Sequence, residues 1–100
     1  MASYAELFDL LTRDGALMSR TSIALLVAAD AIRANVSATV AQQKWATAVL
    51  SNPRAYAPSA LALALVQNRN LSVAQLTSAS DASLQSAVDG AVTMLVAGGA

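Results

Sequence analysis

The 100-residue chain has neither cysteine nor histidine. Without cysteine no disulfide and no thiolate metal site can form, and the redox compartment leaves no mark on the sequence. Without histidine the commonest general base and metal ligand is gone, together with every Ser-His or Cys-His nucleophile. The aromatics Tyr4, Phe8, Trp45 and Tyr56 are too few and too scattered for a base-stacking platform. Gly15 and Gly90 stand alone and Gly98-Gly99 falls at the last residues, so no glycine-rich phosphate loop is present. Glu6, Asp9, Asp14, Asp30, Asp81 and Asp89 match neither a calcium loop nor a two-metal site. No catalytic, cofactor-binding or metal-binding residue is expected, and the chain reads as non-enzymatic.

Charge is also scarce. Charged residues make up 12 % of the chain and apolar residues 56 %, against about 25 % and roughly 45–50 % in ordinary domains. A surface so short of charge implies that partners cover part of it. The cations (Arg13, Arg20, Arg33, Lys44, Arg54, Arg69) are scattered and the net charge is zero. Nucleic-acid binding needs clustered cations to neutralise neighbouring phosphates, so it is not expected as the main role. Five of the six cations are arginine, the residue favoured at interfaces. No uncharged apolar run reaches the roughly 18–20 residues of a membrane span. The chain is therefore expected to be soluble and unprocessed, with no membrane span.

What is present is helix-forming sequence. About a quarter of the residues are alanine, which favours helix and lets helix backbones approach closely. Ser3 and Glu6 form a capping-box pattern that opens a short first helix with Leu7, Leu10 and Leu11 inward, Asp9 pairing Arg13, and Gly15 as its stop. "ALMSRTSIALLVAADAIRAN" predicts the longest and most buried helix, with Leu17, Ala24, Leu25, Ala28 and Ile32 inward and Ile23 and Val27 widening the stripe. Asp30 and Arg33 read as an exposed pair on its outer face.

Ser37 is the expected cap of a third helix that turns Trp45, Ala48 and Val49 inward. Asn52-Pro53 predicts a tight corner, and Pro58 a bent or split fourth helix. "ALALALV" alternates like a strand, but its residues are strong helix formers. Ser72 with Gln75 opens a brief fifth helix. Ser80 or Asp81 caps a sixth, with Leu84, Val88, Ala91, Val92 and Leu95 on one stripe. The fold class is all-α: a compact single-domain bundle of five to six short-to-medium helices, with residues 98–100 a frayed tail.

The stretches "YAELFDLL", "ALMSRTSIALLVAADAI", "WATAVLSNPRAYAPSALALALVQNRNLSVAQL" and "ASDASLQSAVDGAV" resemble small all-helical virion-associated proteins of tailed bacteriophages. The resemblance lies in helix corners and caps, and no functional residue carries over from it. It implies a structural protein of the virion, at the head-tail neck or associated with the capsid, and present in the host cytoplasm before assembly. The expected partners are further copies of the chain, in a ring or lattice, and other virion proteins. A small helical adaptor or regulator that takes a partner helix in an apolar groove is the alternative from a different class. Arg54 and Tyr56, on the outside of the Asn52-Pro53 corner, and Arg69 near the next corner are the candidate interface residues.

Overall fold

A computed structural model describes residues 3–98 and contains six helices and no strand among them. They are α1 (Tyr4–Leu11), α2 (Gly15–Ala34), α3 (Val40–Ser51), α4 (Pro53–Gln67), α5 (Val73–Ser78) and α6 (Asp81–Gly98). The all-α bundle is as the patterning requires. α2 lies at its centre against α3, α4 and α6, while α4 also packs on α1 and α6. Gly98 is still helical, and the remaining tail residues lie outside the described part.

The caps explain most boundaries. Ser3 accepts the Glu6 amide, at 3.2 Å, without the reciprocal bond of a full capping box. Thr39 with Gln42 and Ser72 with Gln75 make complete boxes. Ser37, the expected cap of α3, instead donates its amide to Asn35 Oδ1 in the preceding turn. Gly15 is likewise not a stop but the first residue of α2. The Asp14 carboxylate accepts the Leu17 amide at 3.0 Å and restarts the helix there, because an aspartate at this position satisfies an otherwise free donor. At the far end of α2 the Gln43 side chain donates to the Ile32 and Asn35 carbonyls, closing the helix from α3.

Asn52 serves as both the last cap of α3 and the first cap of α4, with Pro53 at the first helical position. Of the two outcomes expected at Pro58, the split does not occur: α4 runs as one helix through it. The proline has no amide for the Arg54 carbonyl, a cost of roughly 3 kcal/mol in an exposed helix. Here its ring is buried in the core, which offsets part of that loss.

The core is made of leucines set among alanines. Leu11, Leu25, Leu61, Val49 and Val88 are fully enclosed, and so are Ala29, Ala46, Ala57, Ala60 and Ala62. The alanines let α2, α3 and α4 come together at short range. Thr21 and Ser22 are buried within α2 and return their hydroxyls to the Leu17 and Met18 carbonyls, so neither is left unpaired. Trp45 is half-buried, packed against the core from its rim. Trp45→Ala is accordingly expected to cost about 1–2 kcal/mol, below the roughly 3–5 kcal/mol of a fully enclosed tryptophan. Urea unfolding followed by circular dichroism measures it, and a loss above that upper range would place the ring deeper than it stands.

Candidate functional site

The three candidate interface residues fall in different settings. Arg54 is exposed, but its Nη2 donates to Ser19 Oγ at 2.6 Å, tying the start of α4 to α2. Tyr56 is half-buried and packs against the core. Arg69 is exposed on the α4–α5 turn and makes no side-chain hydrogen bond or ion pair among the described residues. It stands at the rim of a cavity of about 320 Å³ lined by Leu7, Leu65, Val66, Leu71, Ser72 and Val73. The structure thus brings Arg69 to an apolar hollow and places Arg54 and Tyr56 elsewhere. A cation with no internal partner beside apolar walls can hold an apolar group that carries or adjoins negative charge.

In the sequence Arg20 is one more scattered cation. In the fold it is a clamp. Its Nη1 donates to the Thr77 carbonyl (3.1 Å) and its Nη2 to the Ala79 carbonyl (2.6 Å). Nε and Nη2 both reach Asp81 Oδ1, at 3.3 and 3.1 Å. One guanidinium therefore fastens α2 to the end of α5 and the start of α6. No local spacing could reveal a pairing across some sixty residues, since only the tertiary fold creates it. α5 contributes a single fully buried side chain, Leu76. Arg20→Gln is expected to raise hydrogen exchange in residues 73–80 by roughly tenfold or more, with a global loss of only about 1–2 kcal/mol. Unchanged exchange there would show that the clamp does not hold α5.

The second surface feature is apolar. Tyr4, Phe8, Leu10, Ile23, Val27, Val36, Val40, Val66 and Met94 are large hydrophobics left exposed. Tyr4 and Phe8 pair one helical turn apart, their ring centroids 6.2 Å from each other. Ile23 and Val27 were expected to widen the buried stripe of α2. They do the reverse, remaining 64 % and 54 % exposed on the side turned away from α3, α4 and α6. The buried arc of α2 is filled by Leu17, Met18, Thr21, Ser22, Ala24, Leu25, Ala28 and Ala29, and on the opposite side Ile23 and Val27 are left open among the described residues, while Arg20 is drawn to the end of α5 and the start of α6. Asp30 and Arg33 are exposed as expected but form no ion pair among the described residues.

No group of acidic, histidine or cysteine residues is arranged to hold a metal ion among the described residues. α2 is the one described helix long and apolar enough to cross a membrane by composition, and 44 % of that window is buried inside the bundle. One such helix is weak evidence, and no clear membrane span is present among the described residues. Comparison with protein-family models, curated proteins and solved structures finds no match to the chain.

Proposed function

We propose that the chain is a non-enzymatic structural protein of a tailed-phage virion, assembling through helical faces at the head-tail neck. A position on the capsid is the variant of this reading. The observation that carries the assembly is the set of exposed large hydrophobics on a surface poor in charge. An isolated monomer normally avoids such faces, which subunits of an assembly cover with one another. The phage context comes from the resemblance of the helix corners and caps. Further copies of the chain and other virion proteins are the partners this requires. Light scattering of the pure protein, alone and mixed with portal and tail proteins of a tailed phage, tests the reading. Larger species are expected, and a monomer under every condition overturns it.

One observation favours the adaptor reading. The hollow beside Arg69, about 320 Å³ with leucine and valine walls, suits an apolar side chain of a docking helix. Val66→Glu would then abolish binding of one partner helix while leaving self-association untouched. Loss of self-association instead would count for the structural role.

A further inference from the structure

The uncovered side of α2 carries more than two stray hydrophobics. Ala16, Arg20, Ile23, Val27, Asp30 and Ala34 follow one another at steps of four, three, four, three and four. This is the spacing of a heptad seam, which runs as one straight stripe along a helix. Five of the six are exposed, and Arg20 keeps 30 % of its side chain in solvent. The stripe lies opposite the buried arc centred on Leu25 and Thr21.

The order of residues along the stripe is symmetric about its centre. Reversed end for end, alanine lies over alanine, an arginine over an aspartate, and isoleucine over valine. We propose that two copies of the chain pair through this face, α2 antiparallel to α2 of the second copy about a twofold axis that crosses the stripe midway between Ile23 and Val27, at the level of Leu25. In that register Ile23 meets the other copy's Val27, Arg20 meets its Asp30, and Ala16 meets its Ala34. A twofold contact requires such self-complementarity, each pair occurring twice.

The charges fix the direction. Parallel pairing would set arginine against arginine and aspartate against aspartate, whereas antiparallel pairing sets each against its opposite. Both groups have capacity to spare. Asp30 has no ion pair or side-chain hydrogen bond among the described residues. Arg20, while clamping α5, still has an Nη1 proton free, because a guanidinium carries five N–H donors. The terminal alanines allow the helix axes to close up. Two crossing helices of this length form a contact at the small end of specific interfaces, so the pairing is reversible and depends on concentration. The inference rests on the proposed assembly and names one of its faces.

Sedimentation equilibrium from about 5 to about 500 µM tests it, a range that brackets micromolar association. The wild-type chain is expected to show a monomer–dimer equilibrium. Val27→Lys and Asp30→Lys should each weaken it roughly tenfold or more with the melting temperature unchanged, since both sites are exposed. Direction is read by cross-linking, aided by the absence of native cysteine. Ala16→Cys mixed with Ala34→Cys should link through a short bis-maleimide, because antiparallel pairing sets these positions about 10 Å apart. Either variant alone should not link, its two copies of the site lying roughly 28 Å apart. Association that ignores both lysine variants, or cross-linking of each variant with itself, overturns the α2 pairing but leaves assembly through another face standing. A chain monomeric throughout overturns the pairing, and assembly with other virion proteins is then judged by the mixing experiment alone.

Discussion

Leu25→Ala is expected to destabilise the fold by about 3–4 kcal/mol, at the upper part of the range for opening a cavity where a buried leucine stood. Leu25 is fully enclosed on the central helix, with α3, α4 and α6 around it. Its neighbours cannot collapse into the void cheaply. Ala24, Ala28 and Ala29 have no side-chain length to extend, and the bundle's other helices are fixed by their own contacts. Small domains have only about 5–15 kcal/mol in total. With about 4–8 °C per kcal/mol for a chain of this size, melting should fall by roughly 15–25 °C. Thermal unfolding by circular dichroism is sufficient, and a loss under about 1 kcal/mol would mean that Leu25 is not in a packed interior.

Leu76→Ala removes a leucine that is just as enclosed, 1 % exposed, yet a different outcome is expected. α5 is six residues long and Leu76 is its one buried anchor. A helix this short has no stability of its own. Once the anchor is cut, α5 can detach locally while the other five helices stay folded. Amide protection over residues 73–78 should collapse by roughly a hundredfold, about 2–3 kcal/mol of local stability. The global transition should shift by less than that. Equal loss at α5 and at the α2 amides would show instead that α5 unfolds only with the whole bundle.

The same contrast explains what the sequence made legible. Caps are local chemistry, so Ser3, Ser72 and the Asn52-Pro53 corner could be read from neighbours three or four residues away. Where two local signals compete, the stronger hydrogen-bond partner decides. Gly15 looked like a terminator, but Asp14 beside it satisfies the Leu17 amide and starts a new helix. Ser37 looked like a cap, but Thr39 has the glutamine three residues on that completes the box. Periodicity assigned Ile23 and Val27 to the core because it counts apolar residues without knowing how many neighbouring helices there are to cover them. Ile23 and Val27 fall outside the arc of α2 that the other helices bury.

The interface residues followed the same division. Arg54, Tyr56 and Arg69 stand out in the sequence only by lying near corners, a criterion of chain position. Tertiary contacts then engaged Arg54 with Ser19 and Tyr56 with the core, leaving Arg69 open. Arg20, the cation with the most bonds, gave no local sign because its partners come from the other end of the chain. Long-range pairing of this kind is visible only after the helices have been placed.

The alanine-lined side of α4 has a consequence for the entropy of folding. Of its buried residues, Ala57, Pro58, Ala60, Ala62 and Ala64 have no side-chain rotamers to freeze, and only Leu61 and Leu65 give up that freedom. Each alanine contributes little apolar area, but ordering it costs only the backbone. α4 therefore reaches its packed state with few alternative side-chain arrangements to search, and a larger residue at any of these positions would have to move a whole helix axis.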